Sequence, residues 1–331
     1  MTVSTSPTAS TPLVAVVGAT GVQGGSVVRA LRESPTEYRV RGFTRDASRP
    51  AAKKLAADGV EVVQVSMSVE NRAAVFKAFE GADFVFITTN WLEHRDNERE
   101  LAEAKLMIEA AAAASVRGII YSSLPNTAQR TNGKYPTPPQ FAAKVAAAEY
   151  GRSAAVAVPF AEVQLVPYAS NFIHYFPPAK EVVRSGEGET TRWVLRLPVP
   201  ADTILPGIDA EVDCGLFVRR VIEAKVFPDR ERFAVWGYQT TIGEQMQQLA
   251  EVTGKNVVYE ALDPEAFRAH LVGLGVPQFV AKTSGDVFLA IEEFGAFQDE
   301  LDMSHEGLAR KPRSWKEFVE ANREAWDAVL V

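Results

Sequence analysis

Three glycines recur at a spacing of three in Gly18-Ala19-Thr20-Gly21-Val22-Gln23-Gly24-Gly25. In a phosphate-binding loop each has its own task. Gly18 permits a tight exit from a strand. Gly21 lets backbone N–H groups approach a pyrophosphate with no side chain between them. Gly24 lets the following helix pack close to the sheet. That helix presents its partial positive N-terminus to the phosphates. Ala19, Thr20, Val22 and Gln23 complete the loop. The flanks suit it, with an apolar run over 13–17 before it and a helical pattern over 22–31 after it.

Charge beyond the next strand bears on which dinucleotide the loop would hold. An acidic residue there accepts hydrogen bonds from ribose hydroxyls, whereas a basic one accommodates a 2′-phosphate. The sequence reads Thr44-Arg45-Asp46, with Lys53 and Lys54 adding positive field. Thr44 and Arg45 therefore predict NADP(H), with NAD as the alternative. Arg45 also suits a surface ion pair with Asp46. Ser66 and Met67 are expected beside the adenine, and Thr88, Thr89 and Asn90 beside the nicotinamide-side ribose. Ordinary turn chemistry would account for the same residues.

The elements that must carry these residues alternate. Strands are expected over 13–17, 38–44, 60–65, 84–88, 118–122 and 163–166. Helices are expected over 22–31, 50–59, 69–79 (capped by Ser68), 97–114 and 140–150. This order predicts a doubly wound parallel Rossmann-type sheet, with the ligand at the carboxyl ends of its strands. Beyond Pro167 the rhythm breaks. Isolated strands over 191–197 and 233–238 and helices over 213–224, 242–253 and 264–274 suggest a smaller mixed α/β lobe. The expected division is a disordered tail over 1–12, a dinucleotide-binding domain over 13–167 and a lobe over 168–331 for substrate or partner. Segments near 203–242 are expected to return to the first domain.

Composition narrows the class. The chain has 331 residues, 47% hydrophobic and 23% charged, with a net charge of −7. A phosphate-backbone binder would show a basic face, so direct nucleic-acid binding is not expected. One cysteine, Cys214, excludes a disulfide framework and a cysteine-rich zinc site. No metal is expected. Without a long apolar run or a secretory signal, the expected location is cytoplasmic, with no membrane association. The basic run Arg310-Lys311-Pro312-Arg313 fits a solvated turn, a contact for an acidic partner or a nuclear localisation signal.

Several of these stretches together resemble the NmrA-like family of atypical short-chain dehydrogenase/reductases. The resemblance rests on Gly18 through Ser26, Thr44-Arg45-Asp46, Gly59-Val60-Glu61-Val62-Val63 and Glu80-Gly81-Ala82-Asp83. It continues in Phe141-Ala142-Ala143-Lys144, Glu149-Tyr150, Pro167-Tyr168 with Asn171-Phe172, and Asp213-Cys214-Gly215. It implies an NAD(P)-binding fold and one of two functions. Some members are NADP(H)-dependent reductases. Others turn over little and act as redox sensors that bind a protein partner such as a transcription factor.

Short-chain dehydrogenases normally place a tyrosine four residues before the lysine, as proton donor. Here Lys144 fills the lysine position and Gln140 stands where the tyrosine would be. Gln does not exchange protons at neutral pH, so the usual carbonyl-reduction chemistry is not in its usual place. Lys144 is expected to hold the ribose hydroxyls, to act itself as acid or base, or to be an ordinary surface lysine. Ser122, with Ser123, could bond a substrate oxygen or the nicotinamide amide, or simply end a strand. Pro167, Tyr168 and Asn171 are expected near the nicotinamide, and His174 is a second candidate proton donor. Trp91, His94, Phe141, Tyr168, His174, Phe176 and Trp193 form the candidate substrate pocket. Phe172 and Tyr175 belong to the same aromatic group, which could equally be core. The sequence thus favours an oxidoreductase acting on a small aromatic or conjugated molecule, with the sensor as alternative. Oligomeric state is not encoded in these patterns.

Overall fold

The computed structural model describes residues 11–185, 188–297 and 301–331; the tail expected over 1–12 falls almost wholly outside them. The chain alternates strongly through its first half. It runs β1 (Leu13–Val16), α1 (Val22–Arg32), β2 (Arg39–Thr44), α2 (Pro50–Ala57), β3 (Glu61–Gln64), a 3-10 turn (Val69–Asn71), α3 (Arg72–Phe79) and β4 (Phe84–Ile87). Then come α4 (Trp91–His94), α5 (Asn97–Ala113), β5 (Gly118–Ser123), α6 (Thr127–Arg130), α7 (Pro139–Arg152) and β6 (Phe160–Leu165). The second half holds α8 (Asn171–His174), β7 (Ala179–Ser185), β8 (Gly188–Leu197), β9 (Ile204–Gly207), α9 (Ala210–Ile222), β10 (Arg232–Val235) and β11 (Tyr238–Thr241). It closes with α10 (Ile242–Thr253), β12 (Val257–Ala261), α11 (Pro264–Gly273), α12 (Gln278–Phe294), α13 (Trp315–Ala321) and α14 (Arg323–Val329).

The main sheet has seven strands in the order β10-β6-β5-β4-β1-β2-β3. Strand β1 pairs in parallel with β2 and with β4, as β2 does with β3 and β4 with β5. Chain order reverses between β1 and β4, the point at which such sheets open a crevice for ligand. A three-stranded mixed sheet, β12-β8-β7, and the antiparallel pair β11-β9 complete the strands. This is the Rossmann-type fold with a smaller mixed sheet that the alternation predicts.

The chain divides into two compact units. The first comprises the described residues of Met1–Ser122 with Ala146–Glu162 and Gly215–Glu231. The second comprises Ser123–Val145, Val163–Cys214 and Arg232–Val331. The division differs from a cut at residue 167. Residues 123–145 group with the second unit, and the stretch grouping with the first is shorter than 203–242. The first core gathers Phe79, Val85, Ile87, Ile108 and Ile119. The second is aromatic, with Phe172, Trp193, Phe267, Trp315 and Trp326.

Four expectations are corrected. The helix over 69–79 starts as a 3-10 turn, and Ser68 makes no side-chain capping bond there. The strand over 191–197 is longer and lies between β7 and β12 rather than alone. The stretch over 233–238 is two strands, because β10 joins the main sheet and β11 pairs with β9. The basic run at 310–313 is no freely solvated turn. Arg310 Nη1 binds the buried Asp213 Oδ1 at 2.7 Å, and the Arg313 guanidinium binds Asp209 Oδ2 at 2.8 Å. Two of its three charges are thus paired with acidic side chains of the second unit. Among the described residues no helix is long and apolar enough to cross a membrane.

Candidate functional site

In the first unit the glycine loop has the geometry its spacing implies. Gly18 has φ of +67°, a left-handed conformation natural to glycine. Its carbonyl accepts the Gly21 N–H at 2.8 Å, closing the turn. A Cβ on Gly24 would stand 2.2 Å from Gly18 O and 2.9 Å from Ala19 N. Helix and loop are therefore in backbone contact there. Gly21 caps α1 with no side-chain bond, and the first turn of α1 carries no acidic residue. The start of a helix is where backbone N–H groups can receive an anion.

The loops after β2 and β4 flank this one, because those strands are the two neighbours of β1. Thr44 Oγ1 accepts the Asp46 N–H at 3.3 Å. Asp46 in turn accepts from Ser48, which holds its carboxyl below the usual carboxylate value. Arg45 does not pair with Asp46. It reaches Glu93 Oε1 at 2.5 Å, while Asp46 faces Arg49 at 3.5 Å. Met67 packs against the first core, and the Ser66 carbonyl accepts from Asn71.

Beyond β4, Asn90 is exposed and Thr88 partly so. Thr88 Cγ2 is the nearest atom to the place a Cβ on Gly18 would take, at 3.3 Å. Thr89 donates to Glu100 Oε1 at 2.6 Å, so its hydroxyl is turned toward α5. Trp91 Nε1 donates to Asn97 Oδ1 at 2.7 Å, and His94 Nε2 lies 3.4 Å from Glu103. Ser122 is buried at the end of β5, and burial pushes the neighbouring Tyr121 phenol far above its ordinary range.

The second unit holds the remaining candidates. Lys144 is 9% exposed, which ends the surface-lysine alternative. It lies on α7, as do Gln140 and Phe141. Pro167 accepts the Ile208 N–H through its carbonyl, and Tyr168 bridges to Ile208. Asn171 opens α8 and His174 closes it, exposed. The aromatic group divides. Phe172 packs edge-on against Trp315, and Phe176 against Phe288. Trp193 is a core residue with the Lys255 ammonium 5.0 Å above its ring. Tyr175 is 64% exposed.

Sequence patterns missed Glu93, Glu100 and Arg130. Glu100 was detectable, because it shares a helical face with the buried Ala104, Met107 and Ala111. Arg130 carries buried Nε and Nη1 atoms with no hydrogen-bond partner, and burial lowers its pKa. Nothing in its local sequence signals that. Cys214 is fully buried, and burial, with Asp213 beside it, pushes its thiol up to about 12. At pH 8 a thiol reagent should therefore label the folded chain about 1,000-fold more slowly than a free cysteine, and one site should appear on unfolding. Fast labelling of the folded chain would contradict this burial.

Comparison with known proteins follows the same lines. A family model described as the NmrA-like family matches residues 10–319. The oxidoreductase cpsB of Aspergillus campestris is 40% identical over 135 residues, a match spanning 39% of either chain. The oxidoreductase FrzB of Cladobotryum sp. is 29% identical, with 80% of each chain covered. Among solved structures, the negative transcriptional regulator NmrA in complex with NAD has a TM-score of 0.71 at 22% identity, covering 94% of both chains. The NADPH-dependent quinone oxidoreductase QOR2 of Escherichia coli also has 0.71, at 20% identity, covering 93% of this chain and 99% of its own. Structural likeness at such identity speaks for the fold, and the family model for descent: the chain belongs to the NmrA-like family.

Proposed function

We propose that the chain is an NADP(H)-dependent oxidoreductase acting on a small aromatic or conjugated molecule. The carrying observation is the glycine loop at the β1–β4 crevice, with Arg45 beside it at the end of β2. The residues fit a dinucleotide. The cradle has no room for a side chain at Gly24, and α1 begins without an internal cap. When bound, the nicotinamide ring supplies or accepts a hydride.

The loop N–H groups and the start of α1 bind the pyrophosphate. Arg45 and Thr44 recognise the 2′-phosphate. Ser66 and Met67 flank the adenine. Lys144 holds the nicotinamide-side ribose, the role its place in the family pattern implies. Gln140 offers no proton, so the favoured substrates accept hydride without a tyrosine donating at the same moment. Quinones and cationic conjugated dyes have that property. They are also the substrates named for two structural neighbours, the Escherichia coli quinone oxidoreductase and the Citrobacter triphenylmethane reductase.

The regulator reading draws on the same Gln140 and on the likeness to NmrA. In such a sensor the signal would enter through the dinucleotide, since Cys214, the one cysteine in the sequence, is buried. Turnover of NADPH with a panel of quinones and triarylmethane cations separates the two. Sustained oxidation supports the enzyme, whereas tight binding without turnover supports the sensor.

Arg45→Ala tests the cofactor assignment. Removing a charged hydrogen-bond donor costs about 1.5–3 kcal/mol, or roughly ten- to hundredfold in NADPH affinity. NADH affinity should change little. Calorimetry with both dinucleotides checks it, and an unchanged NADPH preference removes Arg45 from the site.

A further inference from the structure

Arg45 and Glu93 stand on loops that leave opposite sides of β1, since the strand order is β4-β1-β2. Arg45 follows β2, and Glu93 lies in the single turn α4 after β4. Their 2.5 Å contact must therefore cross the carboxyl end of β1, over the mouth of the crevice where the glycine loop begins. Other groups near the pair do not replace either partner. Asp46 is taken up by Ser48 and Arg49. His94 Nε2 is 4.0 Å from Glu93 Oε1 but closer, at 3.4 Å, to Glu103. The α4 turn is itself fastened by the bond from Trp91 to Asn97.

We propose that Glu93 is a specificity-determining residue that competes with the 2′-phosphate for Arg45, so that the Arg45–Glu93 pair must part before NADP(H) is seated. The proposal rests on the cofactor assignment above. A carboxylate and a phosphate make the same kind of charge-assisted bond to a guanidinium, and one arginine cannot serve both fully. Arg45 is 63% exposed and Glu93 33%, so the pair is weak enough to open. NAD(H), which lacks the 2′-phosphate, has no such competition to overcome. The strap thus narrows the preference for the phosphorylated cofactor that Arg45 alone would give.

The test is calorimetry with NADPH and NADH on the wild-type chain and on Glu93→Gln, which removes the charge and keeps the shape. NADPH affinity should rise about two- to fivefold in the variant, with NADH nearly unchanged. The gain should shrink at about 1 M salt, where charges at this range are screened. In an Arg45→Ala background the same substitution should leave NADPH affinity unchanged. Glu93→Ala should reproduce the gain if Gln disturbs the turn, and thermal melting verifies that both variants fold. Unchanged or weaker NADPH binding in both overturns the proposal, and weaker binding identifies Glu93 as a support for Arg45. If the wild-type chain binds neither dinucleotide, the cofactor assignment fails as well.

Discussion

Gly24→Val should lower NADPH affinity by about 100-fold or more, equivalent to about 2.7 kcal/mol. Even a methyl group at this position would stand 2.2 Å from Gly18 O and 2.5 Å from Gly18 C. Both are backbone atoms, so no side-chain rotation relieves the overlap. The loop must move away from α1, and its N–H groups lose their common aim. Such overpacking also costs about 1–3 kcal/mol of stability. Gly25→Ala is the control, because its Cβ would make an ordinary 3.6 Å contact with Ala19 O. Calorimetry and thermal melting on both variants check the contrast. Wild-type affinity in Gly24→Val would show that the pyrophosphate lies elsewhere.

Asp213→Ala should destabilise the chain by about 3 kcal/mol. The carboxylate is wholly buried, accepting from Arg310 Nη1 at 2.7 Å and from the Arg313 N–H at 2.9 Å. Its removal leaves the Arg313 N–H without an acceptor and takes a carboxylate from the Arg310 guanidinium. Burial raises the Asp213 pKa in spite of Arg310, so a neutral group fits the position better than an unpaired charge would. Asp213→Asn keeps an acceptor and should lose only about 1 kcal/mol. Urea unfolding checks both, with the midpoint falling and the slope unchanged. A wild-type midpoint for Asp213→Ala would show that Arg310 and Arg313 need no buried anchor.

The features legible in the sequence are those whose cause is local. A strand, a glycine turn and a helix start lie within a few residues of one another around Gly18. Strand–helix alternation then fixed the sheet class before any contact was known. Contacts between distant residues were not legible. Nothing near Arg45 names Glu93 as its partner, since β1 and its crevice lie between their loops. The run at 310–313 looks solvated until Asp209 and Asp213 arrive from α9 and the loop before it. Residues 233–238 form one apolar stretch, yet Trp236 and Gly237 separate strands of two different sheets. The resemblance to the family supplied the place of Lys144. Burial then decided against its being a surface residue, which residue type alone could not do.

The third segment of the first unit, Gly215–Glu231, bears on how the chain is made. Gly215 donates its N–H to Ser26 Oγ at 2.9 Å, and a Cβ there would stand 2.1 Å from Ser26 O. Helix α1 is thus covered by residues synthesised long after it. At roughly 5–20 residues per second, the ribosome needs on the order of ten seconds between finishing β5 and releasing that segment. Through that interval the part of α1 around Ser26 has no cover, and chaperones have their opportunity. A fragment ending after β6 would keep the glycine loop, Arg45 and Lys144 and still lack the segment that covers α1. Expression of the crevice alone should accordingly give aggregated material, while the full chain folds.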